Sequence, residues 1–153
     1  MMTRSRLQEV LNAFTHLELV VLGDVMLDEF LWGKVDRISP EAPVPIVQVK
    51  KETSRPGGAA NVAANIVGLG AKAHIIGVVG DDGAGRKLRE SLEQDHIGTD
   101  GLVVDSTRRT TLKTRIIGQR QQMIRIDRET SEPIGPACCD SLKTQLERLQ
   151  TRA

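Results

Sequence analysis

Aromatic side chains are nearly absent from this 153-residue chain, which has one Trp, two Phe and no Tyr. The core must therefore be aliphatic, and the stacking platforms that hold single-stranded nucleic acid are not available. An excess of one charge is missing too. The 21 Lys and Arg nearly balance the 20 Asp and Glu, and no basic block occurs. Neither a general nucleic-acid role nor a membrane-surface role finds support in that balance. No uninterrupted apolar run approaches the roughly 20 residues of a membrane span. The opening stretch MMTRSRLQEVLNAF carries charges where a signal peptide needs an apolar segment. Cysteine is limited to the adjacent pair Cys138 and Cys139, a spacing that strains a disulfide and matches no zinc motif. His16, His74 and His96 share no ligand spacing with acidic residues, so no metal site is assigned. The expectation is a soluble, reduced, cytoplasmic protein whose length suits one domain.

What the chain does contain is an alternation of strand and helix signals. Residues 5–15 read as a short helix, and Leu19–Gly23 as a buried strand. Between Asp28 and Lys51, Pro40, Pro43 and Pro45 rule out a helix, and an exposed strand is expected to begin near Val44. Arg55-Pro56-Gly57-Gly58 reads as a turn, followed by a helix with Ala59, Val62, Ala63, Ile66 and Gly70 on one face. Ala73–Val79 reads as a second buried strand. Asp82 can cap a helix over 83–95 that carries Ala84, Leu88 and Leu92 on one face. A short strand at Leu102–Val104 precedes a hairpin over 110–117 and 122–127, and a helix over Cys138–Arg152 closes the chain. Such alternation predicts an α/β fold with a parallel sheet flanked by helices. The Pro-rich strand and the hairpin fall outside it and read as a small β-sheet lid.

Two nucleotide-binding patterns are decoys. Residues 80–87 (GDDGAGRK) are superficially like a P-loop, but Arg86 separates the last Gly from Lys87, and Leu88 stands where a Ser or Thr is needed. No strand ends in G-x-G-x-x-G, so a dinucleotide site is not expected. The stronger signal is Gly57-Gly58-Ala59-Ala60-Asn61, where two glycines ahead of a helix expose backbone N–H groups to a ligand. Asn61, in the first helical turn, can both donate to and accept from vicinal hydroxyls, or simply serve the helix start. Asp24 and Asp28 flank the end of the first strand, where α/β sheets bind ligands, although either could be a cap or turn residue. In the hairpin, Lys113 and Arg115 share one strand face, as do Met123, Arg125 and Asp127 on the return strand. If those faces coincide, Lys113, Arg115 and Arg125 form a cationic patch for a substrate phosphate; otherwise they are a solvated strand face.

These motifs together resemble a known family. Gly57–Ala63 with Ile66–Gly70, followed by Gly77–Gly85, resembles the N-terminal signature of the ribokinase-like (PfkB) carbohydrate kinases. Residues 23–28 (GDVMLD), 37–45 (RISPEAPVP) and 121–127 (QQMIRID) resemble one subfamily more closely. It is the kinase domain of the bifunctional heptose-7-phosphate kinase/ADP-heptose synthases, which act in lipopolysaccharide-core precursor synthesis. The resemblance implies a ribokinase-like parallel sheet flanked by helices with a β lid, truncated, with the core over about 1–28, 52–104 and 137–153 and the lid over about 29–51 and 108–128. It implies that Asp28, Gly57, Gly58 and Asn61 bind the sugar, that Asp24 supports the site, and that the lid makes a homodimer. ATP and Mg²⁺ are implied as family cofactors. The family's Gly-x-Gly-Asp, whose Asp is the general base, has no counterpart after residue 85. The sugar-binding half alone is therefore expected to be inactive without a complementing C-terminal half.

Overall fold

A computed structural model describes residues 3–151; Arg152 and Ala153, with which the expected closing helix and core were to end, and Met1 and Met2, with which the core was to begin, lie outside them. The elements in chain order are α1 (Arg4–Phe14), β1 (Glu18–Leu22), β2 (Val25–Ile38), β3 (Pro45–Gly58), α2 (Ala59–Gly68), β4 (Lys72–Val79), α3 (Gly83–Gln94), β5 (Gly98–Val104), β6 (Thr111–Gly118), β7 (Gln121–Arg128) and α4 (Pro136–Gln150).

Two sheets form. One is parallel, in the order β1-β4-β5, and the other is mixed, in the order β3-β2-β6-β7. β4 is the central strand of the first, and its Ile75 and Ile76 are both fully buried. A strand covered on both faces must be apolar at successive positions, which is how AHIIGVV reads. α2 and α3 contribute Ala60, Ala63, Leu88 and Leu92 to the cluster that contains Ile75. α4 packs on β4 and β5, with Cys138 and Leu149 buried. Val62 was expected on the inner face of α2 but is 49% exposed. The methyl groups of Ala60 and Ala63 let the helix sit close to the sheet, and that orientation turns Val62 outward.

Two further expectations are corrected. Residues 25–38, which carried no strand expectation, form β2, the longest strand together with β3. Arg55-Pro56-Gly57-Gly58 is not a turn but the end of β3, with Pro56 opposite Leu27. β3 is the edge of its sheet, so Pro56 can turn its missing N–H away from the ladder. The hairpin turn is Gln119-Arg120, with φ of 49° and 68°, the twist a two-residue connection demands.

One carboxylate ties the two sheets together. Asp82 caps α3 by accepting from the Gly85 backbone N–H at 2.8 Å, and its other oxygen accepts from the Thr110 N–H at 2.9 Å. Burial pushes the Asp82 carboxyl up, but the Gly85 and Thr110 hydrogen bonds outweigh it and hold the group below its ordinary value. Gly80 and Gly85 belong to the same tight packing. A Cβ on Gly80 would lie 2.5 Å from the Arg108 carbonyl, and one on Gly85 would lie 2.6 Å from the Gly80 carbonyl. The P-loop-like stretch is thus a strand-to-helix turn.

Candidate functional site

Residues paired across a sheet point to the same side of it. Asp28 on β2 pairs with Arg55 on β3 and with Lys113 on β6. Phe30 pairs with Thr53 and Arg115, and across β6 and β7 Arg115 pairs with Arg125 and Lys113 with Asp127. One face of the mixed sheet therefore carries Asp28, Arg55, Lys113, Arg115, Arg125 and Asp127 around Phe30. Two of the chain's three aromatic residues lie here, Phe30 and Trp32, stacked with ring centroids 6.1 Å apart. The Trp32 indole N–H donates to Thr53 Oγ1 at 3.0 Å.

Asp28 is the most sheltered carboxylate of this face, its side chain 16% exposed and its Oδ1 accepting from Arg115 Nη1. Gly57 lies directly beside it. A Cβ there would fall 2.6 Å from Asp28 Oδ2, so only glycine leaves that carboxylate its position. Gly58 caps α2 with φ 58° and ψ −132°, a conformation reserved for glycine. The Asp24 carbonyl accepts from the Ala59 N–H at 2.9 Å. Asn61 is exposed in the first turn of α2. Asp24 is exposed and lines a cavity of about 580 Å³ together with Gly23, Met26, Gly77, Arg109 and Thr111. Met26 and Thr111 pair with each other two positions along the strands from Asp28 and Lys113, and Asp28 itself does not line the cavity.

Asp28, Gly57, Lys113, Arg115 and Arg125 share the sheet face, Asp24 lines the cavity, and Gly58 and Asn61 stand at the start of α2; the three cations are not equally available. Lys113 Nζ is 3.3 Å from Asp127 Oδ2 and 3.4 Å from Glu129 Oε2. Arg125 donates to both oxygens of Asp127, at 2.8 and 2.9 Å. Those Arg125 hydrogen bonds, opposed by slight burial and reinforced by the Lys113 ammonium, hold the Asp127 carboxyl below its ordinary value. The expected open patch is thus partly neutralised by its own neighbours.

Arg55 escaped the sequence reading. Its guanidinium carbon sits 4.7 Å from the Phe30 centroid, and that of Arg115 lies 5.4 Å from the same ring. The signal was its place two residues before Gly57, which puts both on one face once β3 is known to run through Pro56. Among the described residues no group of three His, Cys, Asp or Glu could hold a metal ion, and no helix is long and apolar enough to cross a membrane.

The pfkB family carbohydrate kinase pattern matches residues 16–150. "Bifunctional protein HldE" of Helicobacter acinonychis is 51% identical over 117 residues, covering 76% of this chain and 25% of that protein. The protein of the same name from Pelobacter propionicus is 47% identical over 133 residues, covering 87% of this chain and 27% of its own length. The chain thus spans about a quarter of the curated relatives it matches. Among solved structures, a putative ribokinase from Agrobacterium tumefaciens superposes with a TM-score of 0.61 at 22% identity, covering 79% of this chain and 40% of that one. A putative sugar kinase from Clostridium perfringens gives a TM-score of 0.63 at 18% identity, covering 84% and 40%. These two likenesses establish the ribokinase-like fold.

Proposed function

We infer the function from one premise: this chain belongs to the pfkB family of carbohydrate kinases. The proposed role is the sugar-binding part of an ATP-dependent kinase for D-glycero-D-manno-heptose 7-phosphate, phosphorylating C1 on the way to ADP-heptose and the lipopolysaccharide core, in the cytoplasm. The observation that carries the reading is Asp28 held against Gly57 on a sheet face that also bears Arg55 and Arg115. A sheltered carboxylate accepts hydrogen bonds from two hydroxyls, and the guanidiniums donate hydrogen bonds to a phosphate. Asp24, Gly58 and Asn61 are assigned to the same site, and the subfamily resemblance of residues 23–28 and 37–45 favours heptose over the sugars of other kinases of the family.

ATP is the family's phosphoryl donor, with Mg²⁺ as its counter-ion. Among the described residues no cluster of metal-ligating side chains fits Mg²⁺. The proposal is that a complementing C-terminal half supplies the general base and the donor site, and that residues 1–153 alone bind sugar without turning it over.

Calorimetry tests this with heptose 7-phosphate and ATP titrated separately into the chain. Heptose phosphate should bind, and Asp28→Ala should weaken it about 10- to 100-fold, the loss of one or two charge-assisted hydrogen bonds. ATP should give no heat of binding. Unchanged affinity in Asp28→Ala would remove Asp28 from the site, and tight ATP binding would place the donor site within these residues.

A homodimer through the mixed sheet is also proposed. Leu31, Ile116, Ile124 and Ile126 share the face opposite Asp28, with Ile124 55% exposed. Such a strip is covered at little cost by a second copy. Sedimentation equilibrium at micromolar concentration should give twice the 16.7 kDa chain mass; a monomer throughout would overturn it.

A further inference from the structure

We propose that the Asp28–Arg115 ion pair is a latch that a substrate phosphate opens, and that Arg55 is the second half of the phosphate clamp. The inference deepens the sugar-phosphate reading above and rests on it. Asp28 Oδ1, one of the two oxygens that would receive sugar hydroxyls, is occupied by Arg115 Nη1. Both side chains are sheltered, Arg115 22% and Asp28 16% exposed, so the pair is screened less than a surface pair. A neutral sugar whose hydroxyls take this oxygen competes with Arg115 for it and offers Arg115 no anion in exchange. A sugar that carries a phosphate returns one to it. The two halves of such a ligand are thereby coupled: the phosphate takes Arg115, and the freed carboxylate takes the hydroxyls.

Charge accounting on the sheet face locates the phosphate. Lys113 is held by Asp127 and Glu129, and Arg125 by Asp127. Arg55 is exposed and leans on the Phe30 ring, and among the described residues it has neither an ion pair nor a side-chain hydrogen bond. Of the three arginines around Phe30, namely Arg55, Arg115 and Arg125, it is the one with no anionic partner. Arg115 reaches the same ring from β6, on the other side of β2 from the strand that carries Arg55, so Phe30 is flanked by two guanidiniums, whose forked donors suit phosphate oxygens. Phe30 stands two residues from Asp28 along β2, about 7 Å by strand geometry. That separation suits a sugar whose hydroxyls sit on Asp28 while its terminal phosphate is held by the guanidiniums beside Phe30.

The exchange makes Arg115 a specificity-determining residue whose removal has opposite signs for two ligands. Heptose 7-phosphate and unphosphorylated heptose are titrated by calorimetry into the full chain and three variants. Arg115→Gln should weaken the phosphorylated sugar about 10- to 100-fold while leaving free heptose as tight as before or tighter, because Asp28 is already open. Arg55→Gln should weaken only the phosphorylated sugar. Arg115→Lys, which keeps the charge but not the fork, should fall between wild type and Arg115→Gln for the phosphorylated sugar. If Arg115→Gln melts below the assay temperature by circular dichroism, the Lys variant and Arg55→Gln carry the comparison. Arg115 variants that weaken both sugars equally would overturn the exchange and leave Arg115 as a mere support for Asp28. Equal binding of the phosphorylated sugar by wild type and Arg55→Gln would overturn the clamp. A wild-type chain that binds free heptose as tightly as its phosphate would overturn both, and one that binds neither would remove the underlying reading of the site.

Discussion

Gly58→Ala is expected to destabilise the chain by about 3 kcal/mol, combining left-handed strain with a steric clash, and to weaken sugar binding at the same time. Gly58 holds φ 58° and ψ −132° at the point where β3 becomes α2. A Cβ there would lie 2.5 Å from the Asp24 carbonyl and 2.8 Å from Met26 Cε. The methionine tip can move, but the carbonyl cannot, because it accepts the Ala59 N–H and so holds the start of the helix. The strain therefore falls on the joint that sets Asp24, Gly57 and Asn61 relative to one another. Gly68→Ala is the internal control: nothing lies within 4 Å of a Cβ there and its φ is ordinary, so it should be neutral or stabilising by about 0.5 kcal/mol. Urea titrations of both variants give the comparison. Equal midpoints for the two would mean that the backbone relaxes at Gly58 without cost.

Ile75→Ala is expected to cost about 3–4 kcal/mol, as for other fully buried large-to-small changes. Ile75 is fully buried in the central strand β4 and belongs to the cluster formed with α2 and α3. Its neighbours on the helices are small or already packed, with Ala60, Ala63, Leu88 and Leu92 all 0% exposed, so little can move into the space. Against a typical stability of about 5–15 kcal/mol, the loss leaves a much smaller margin. The urea midpoint should fall while the slope of the transition stays constant, since the surface exposed on unfolding hardly changes. A loss below about 1 kcal/mol would show that the cluster is loosely packed around β4.

The parallel sheet was readable in the sequence because its strands appear as short apolar runs: Ala73–Val79 is buried at most positions, whereas Leu19–Gly23, expected to be buried, forms the edge strand β1 with Leu19 and Leu22 exposed. β2 was not readable, for the opposite reason. Its sheet buries neither face completely, so Asp28, Glu29, Lys34 and Asp36 interrupt any alternation. Pro56 then disguised the end of β3 as a turn, although at a sheet edge proline does no harm. The site followed the same division. The glycines and Asn61 announced themselves through local chain geometry, and Asp28 through its place after a legible strand. Arg55 could not be found until β3 was known to continue, and the neutralisation of Lys113 and Arg125 required the β6–β7 register, which no periodicity encodes.

The pairing of β2 with β6 has a consequence for how the protein comes into being. Asp28 and Arg115 are 87 residues apart in the chain, and Glu29 and Thr114 are 85 apart. Contacts of such separation slow folding, because the intervening loop must close before they repay its entropy. During synthesis at about 5–20 residues per second, Asp28 leaves the ribosome roughly 4–17 s ahead of the arginine that will cover it. Through that interval the β2–β3 ribbon exposes an unpaired edge carrying Leu27, Leu31 and Trp32, a template for strand addition. The carboxylate that would receive the sugar is one of the first functional groups made and one of the last to be put in place.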